Sequence, residues 1–450
     1  MATVSPMPTT EVARGRVVAP DLIAAASTPT QTTVPMKPEE LESRASEYIM
    51  QEKFNRSFTL PATEAHGELS VTYAVGGLDS ADAPTMLFIG GMLGGRYLAS
   101  IFDYIGTERG MRIVVTDRPG LGGSTPVQPS LRLPVWLETV PVLMRAINAR
   151  HVSLSAHSCG VIYALNTIYS MPWILPPSNR KLYLFSPWVP PDHSGVTFLS
   201  IASQLPSALI NSFDSIVRFV NSTVVPTVHF SGVISGAVSA PFSKTCRDNP
   251  TDSKARFQKH ERDDLCREYC GVSAAEVAAQ SEVLMRCVFS ESIRGSNHEV
   301  LLLLRKDVAG SWGPCDNYES YADALEAKLQ EHYQHAEREE GGPTSAPAAT
   351  AALNASATQY RFVLKVFWAE SDKLIGKKGE EYFNKCFQRF TWDGQSSNGE
   401  HKSCLLYESE VVPDTDHDTL ILPQNGALPK ILGDIWKEQD EQTLCSLGQS

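Results

Sequence analysis

The sequence predicts an α/β protein with a mostly parallel central sheet covered by helices on both faces, and a helical cap inserted into it. Three observations carry that expectation. Continuous apolar runs such as Thr85-Met86-Leu87-Phe88-Ile89 and Ile113-Val114-Val115-Thr116 suit strands buried on both faces of a parallel sheet. Over residues 85–190 such runs alternate with segments whose apolar residues recur at helical spacing. The third observation is VSLSAHSCGVIYALNTIY at 152–169. There a short buried strand passes through Ala156-His157-Ser158-Cys159-Gly160 into a helix marked by Val161, Ile162, Leu165 and Ile168.

Composition narrows the class. A chain of 450 residues holds two or three average domains, or one large α/β domain with insertions. The formal charge of -12 argues against nucleic acid and anionic membrane surfaces, which need clustered Lys and Arg. The nine cysteines are scattered and odd in number, which is no disulfide framework. Cys266 and Cys270, with His260 and Cys287 nearby, match no common zinc spacing, so neither a metal nor another cofactor is expected. The N-terminus shows no basic region followed by an apolar run, and a cytoplasmic protein is the default expectation.

In chain order, residues 1–40 are rich in Ser, Thr, Pro and Ala and are expected to be a disordered tail. Pro38-Glu39-Glu40-Leu41 opens a first helix, and short strands follow at 58–60 and 69–75 with His66 in the turn between them. The strand at 85–89 ends in Gly90-Gly91-Met92-Leu93-Gly94-Gly95. Glycines packed straight after a buried strand mark a sharp turn or a close approach to a ligand. The next strand runs into Asp117-Arg118-Pro119-Gly120-Leu121-Gly122-Gly123-Ser124. A helix from Val135 to Asn148 precedes the Ser158 turn, and Lys181 to Trp188 supplies one more strand.

Residues 191–315 break the alternation and read as a cap. From Gly195 to Ser243 the charges are Asp214 and Arg218, and apolar residues recur at helix-like spacing. A membrane span needs ~20 largely apolar residues, and Pro206, Pro226 and many serines interrupt this stretch. Cap helices lining an apolar pocket are the expectation. A charged amphipathic helix at 316–340, read as a solvated surface element, leads into a low-complexity insertion at Gly341–Ala357. The sheet resumes at Phe362–Trp368 and ends at Cys404–Tyr407, and a last helix begins near Ala427.

The buried strand ending in glycines, the D-R-P-G-x-G-x-S turn and the serine elbow, in this order, resemble the α/β-hydrolase superfamily, in its capped, fungal-type form. The resemblance covers about residues 55–190 and 295–435. It leaves the cap and both tails outside, and the expected division is a first core segment at 41–190, the cap at 191–315 and a second core segment at 358–440. It also implies that Asp117 and Arg118 brace their loop rather than do chemistry. Its acid lies just past the strand that resumes the sheet, which points to Asp372, with Glu370 as the nearest alternative. Its histidine lies after the last strand, which points to His417; His401 precedes that strand.

Ser158, Asp372 and His417 stand in the order nucleophile, acid, base. A serine hydroxyl is a poor nucleophile near neutral pH, so an imidazole must take its proton and a buried carboxylate must hold the imidazole's tautomer. Cys159 N–H and Met92 N–H are the candidate oxyanion donors, with Gly91 beside them. The expected activity is hydrolysis of an ester or thioester of a lipophilic acyl or other small-molecule substrate. The alternatives are an accessory enzyme of secondary metabolism that releases, cleaves or cyclises a product, and a non-catalytic small-molecule binder. Ala156 stands where the elbow usually has glycine, and Ala369 stands where the acid turn does.

Overall fold

Eight strands form one sheet in this computed structural model, which describes residues 36–204, 206–207, 253–306, 311–339, 361–391 and 403–436. Residues 1–35 of the expected 1–40 tail, most of the charge-poor cap stretch, the insertion at 341–357 and His401 lie outside the described residues.

The strands are β1 (Arg56–Leu60), β2 (Leu69–Gly77), β3 (Thr85–Ile89), β4 (Arg112–Thr116), β5 (Ser153–His157), β6 (Lys181–Phe185), β7 (Phe362–Ala369) and β8 (Leu405–Val412). Their order is β1-β2-β4-β3-β5-β6-β7-β8. The pairs β1/β2 and β2/β4 are antiparallel and every other pair is parallel. Parallel neighbours need crossover connections, which helices between the strands supply, and further helices flank the sheet at either end of the chain. These are α1 (Pro38–Ile49), α2 (Leu98–Glu108), α3 (Arg132–Ala146), α4 (Gly160–Ser170), α5 (Ser253–Cys270), α6 (Ala274–Ser290), α7 (Gly295–Leu303), α8 (Tyr318–Glu339), α9 (Gly376–Phe387) and α10 (427–436).

The period-two alternation of the strands sorts the core into two layers. Leu87, Ile89, Val114, Leu154, Leu182, Leu184, Leu364 and Val366 face α3, α4, α8 and α9. Met86, Phe88, Ile113, Val115, Tyr183, Phe185 and Phe367 face α1, α2, α6 and α10. The apolar side of the charged helix α8 packs into the first layer. Tyr318, Tyr321, Leu325 and Leu329 are buried, and the Tyr318 and Tyr321 hydroxyls donate to the carbonyls of Trp188 and Leu165 at 2.7 and 2.8 Å. Glu319, Asp323, Glu326 and Lys328 lie between these positions, so charge and core coexist on one helix.

Between β6 and α8 the described chain is helical, with short turns at Pro191–Ser194 and Thr197–Ala202 followed by α5, α6 and α7. Helix α6 starts on a capping box in which Ser273 and Glu276 satisfy each other's backbone N–H. No helix among the described residues is long and apolar enough to cross a membrane.

Candidate active site

Ser158 follows directly on β5 and has φ of 52°. That left-handed conformation costs a non-glycine residue about 1–3 kcal/mol, so its surroundings must enforce it. Ser158 N–H donates to the Phe185 carbonyl at 3.0 Å, and the Ser158 carbonyl accepts Trp188 N–H at 3.2 Å. The end of β6 therefore clamps the turn from both sides. Gly160, two residues on, opens α4, and a Cβ there would collide with the Ile89 carbonyl. Ala156 sits in register between Ile89 and Leu184, where its methyl fits the core.

The three side chains singled out by chain order meet at the carboxyl ends of parallel strands. His417 stands on the loop after β8 and Asp372 on the loop after β7. His417 Nε2 lies 2.9 Å from Ser158 Oγ, and His417 Nδ1 lies 2.8 Å from Asp372 Oδ2. Asp372 Oδ1 accepts the N–H groups of Leu374 and Ile375 at 2.9 and 2.8 Å. The two loops are tied together, because Ser371 N–H donates to the Thr415 carbonyl at 3.0 Å and Asp414 N–H to Glu370 Oε2 at 2.9 Å. Glu370 is thus an exposed loop clasp, and it is Asp372 that reaches the imidazole.

Charge follows from these contacts. Burial pushes the Asp372 carboxyl up, but the His417 charge, its hydrogen bond and the Ile375 N–H bring it to about 2. It is ionised at neutral pH. Burial pulls His417 down, and the Asp372 charge and hydrogen bond more than offset this, leaving it above its ordinary value of 6.5. Against an ionised Asp372, His417 Nδ1 must carry the proton, so its Nε2 lone pair faces the Ser158 hydroxyl.

Two groups beside the imidazole escaped the sequence reading. His157 is buried, and its Nε2 lies 2.9 Å from the His417 carbonyl oxygen. A carbonyl only accepts, so Nε2 carries the proton and His157 pins the backbone of His417. Burial, then the nearby His417 charge, lowers its pKa to about 3 and keeps it neutral. Asp418 is partly buried, and burial raises its carboxyl to about 6. His157, His417 and Asp418 place ligand-type atoms within 4.8 Å of one another. Both nitrogens of His417 and Nε2 of His157 already hold partners, so the trio reads as a hydrogen-bonding and proton site.

The glycine-rich loop after β3 lies against Ser158. A Cβ on Gly91 would sit 3.2 Å from Ser158 Cβ and 2.9 Å from His157 Nδ1, so only glycine allows this approach. Met92 N–H and Cys159 N–H meet no acceptor among the described residues. The Cys159 thiol is buried and its pKa is pushed well up by that burial, so it is uncharged.

Behind this loop lies a second buried ionic cluster. Arg118 donates from Nη1 to the Gly90 carbonyl and from Nη2 to the Gly91 carbonyl, both at 2.7 Å. Its Nε and Nη2 also hold Glu299. Glu299, on α7, accepts from Arg132 Nη2 at 2.9 Å and lies 3.2 Å from the Tyr163 hydroxyl. Asp117 turns the other way, accepting Arg96 N–H, Arg96 Nη1 and the Thr72 hydroxyl. The sequence did carry a signal for Glu299, a lone acid heading the run Val300-Leu301-Leu302-Leu303-Leu304.

No protein-family model and no curated protein matches this chain. Solved structures resemble it in fold. A carboxylesterase from the thaumarchaeon Nitrososphaera gargenis is 11% identical, with 85% of this chain and 100% of that one covered and a TM-score of 0.45. A thermophilic esterase from Thermogutta terrifontis is 12% identical, with 85% and 98% covered and a TM-score of 0.44. A haloalkane dehalogenase loop variant from Bradyrhizobium elkanii is 15% identical, with 87% and 99% covered and a TM-score of 0.47. The strand order, the single strand running against the rest and the crossover helices on both faces decide the matter from this chain's own topology. By that architecture, the chain is a member of the α/β-hydrolase fold.

Proposed function

We propose that this chain is a serine hydrolase that cleaves an ester or thioester of a lipophilic acyl or other small apolar substrate. Ser158 is the nucleophile, His417 the general base and Asp372 the acid that orients it. The observation that supports this most is the unbroken hydrogen-bond chain from Ser158 Oγ through both nitrogens of His417 to Asp372.

In the acylation step His417 Nε2 takes the hydroxyl proton as Ser158 Oγ bonds to the carbonyl carbon. The electron pair displaced onto the carbonyl oxygen is met by Cys159 N–H and Met92 N–H, which meet no acceptor among the described residues. Collapse breaks the bond to the leaving oxygen or sulfur, which receives the proton from His417. Water, activated by the same imidazole, then releases the acid and restores Ser158. The apolar substrate preference rests on the charge-poor stretch from Gly195 to Ser243 within the proposed 191–315 cap.

A fluorophosphonate probe on the purified protein tests this reading. Labelling should vanish in Ser158→Ala and His417→Ala and fall in Asp372→Asn. A wild type that does not label, or a Ser158→Ala that still does, overturns it. Product analysis in oxygen-labelled water then separates hydrolysis, which incorporates the label, from lyase or cyclisation chemistry, which does not.

A further inference from the structure

Arg118 grips the peptide whose other end is Met92 N–H. A trans peptide is planar, with its C=O and N–H pointing in opposite directions. The Gly91 carbonyl and the Met92 N–H belong to one such unit. The Gly91 carbonyl accepts Arg118 Nη2 at 2.7 Å and Gly94 N–H at 2.8 Å. With the oxygen held on the arginine side, the Met92 N–H is turned away from it. Gly91 itself is packed against Ser158, and the Met92 N–H meets no acceptor. Gly94 belongs to the same loop and moves with it, whereas Arg118 ties the loop to the end of β4.

The guanidinium in turn is aimed by Glu299. Both groups are buried, at 1% exposure each, and Glu299 holds Arg118 through Nε and Nη2 while Arg132 and Tyr163 also bond its Oε1. Burial alone would favour neutral forms of both. The opposite charges outweigh it, so Glu299 stays ionised and Arg118 charged. A fixed positive charge on the carbonyl end of a peptide also draws electrons from its N–H and makes it a stronger donor.

Resting on the serine-hydrolase reading above, we infer that Glu299 is a positioning residue for the oxyanion site. It acts through Arg118, whose guanidinium orients and polarises the Gly91–Met92 peptide so that Met92 N–H faces the developing oxyanion. Because Glu299 lies on α7, within the proposed 191–315 cap, docking of that helix completes the site.

The test compares Arg118→Lys and Glu299→Gln with wild type in kcat, KM and inhibition by a matched pair of ketones. An alkyl trifluoromethyl ketone adds to the serine and forms an oxyanion, and the corresponding methyl ketone serves as the ground-state reference. Arg118→Lys keeps the charge but loses the fork, and should lower kcat about 10²-fold with KM within about twofold. Glu299→Gln keeps the shape and should lower kcat about 10-fold. Trifluoromethyl ketone affinity should fall by the same factors, and methyl ketone affinity should hold.

The ratio of the two inhibition constants does not depend on the fraction of protein folded. Arg112→Met, which removes a buried guanidinium bonded to Thr85 and the Ile147 carbonyl, is the control for general destabilisation and should leave the ratio unchanged. A ratio unmoved in both Arg118→Lys and Glu299→Gln, or moved equally in Arg112→Met, overturns the inference while leaving the hydrolase reading standing. A wild type that neither labels with fluorophosphonate nor turns over esters overturns both.

Discussion

Two buried ionic clusters meet at Cys159, and they handle charge in opposite ways. In Ser158–His417–Asp372 the imidazole bridges one hydroxyl and one carboxylate, and a proton has somewhere to go. In Arg118–Glu299–Arg132 every charge is held by several partners, and the carboxylate sits between two guanidinium groups that do not titrate. The lesson is one of degree of satisfaction. An imidazole with one partner at each nitrogen can move a proton, whereas a guanidinium–carboxylate cluster satisfied several times over holds backbone in place.

The comparison is most sharply broken by Ser158→Ala. Turnover should fall by about 10⁶-fold with folding intact, as judged by initial rates beside near-ultraviolet circular dichroism. Next is Asp372→Asn, which leaves the imidazole in the wrong tautomer and should reduce kcat by about 10⁴-fold. The exposed Glu370→Gln should stay within a few-fold in the same assay. An inversion of that pair would reassign the acid.

Glu299→Ala probes the other cluster. It strands two buried guanidinium groups and should cost about 3–5 kcal/mol of stability in chemical denaturation. Ser158→Ala should shift stability by less than 1 kcal/mol, about the scale of one ordinary hydrogen bond. A Glu299→Ala protein as stable as wild type would remove the distinction between the clusters.

The smallest effect is on pH dependence. In the proposed mechanism His417 must be neutral to accept the proton, so activity should fall as pH drops through its pKa, which lies above 6.5. Asp418 is a negative neighbour that favours the imidazolium. Asp418→Asn should therefore move the acidic limb of the kcat/KM profile to lower pH, by about half a unit to one unit. The carboxyl itself, raised from 3.8 to about 6, binds its proton more tightly folded than unfolded. Its contribution to stability is present below about pH 4 and lost as pH rises to about 6. Asp418→Asn should raise the melting temperature at pH 8 and leave it unchanged at pH 4.

Local pattern alone was enough to place Ser158 on a strand-to-helix turn, because β5 is apolar and small and Val161, Ile162, Leu165 and Ile168 repeat at helical spacing. The same holds for the buried strands β3, β4 and β7 and for the glycines that end β3. Asp372 and His417 depended on the family resemblance as well, since strand ends are visible in sequence but their spatial neighbours are not.

What the tertiary structure decided is which long-range partners each polar group meets. His157 reads as an arbitrary residue before Ser158 until its Nε2 is seen on the His417 carbonyl, 260 positions away. Glu299 reads as a lone acid until the fold brings it to Arg118, 181 positions away. Period and propensity are properties of neighbours in sequence, and residues themselves record them. Pairing of buried charges is set by which strand ends and helices the sheet order brings together, and only the folded chain contains that order.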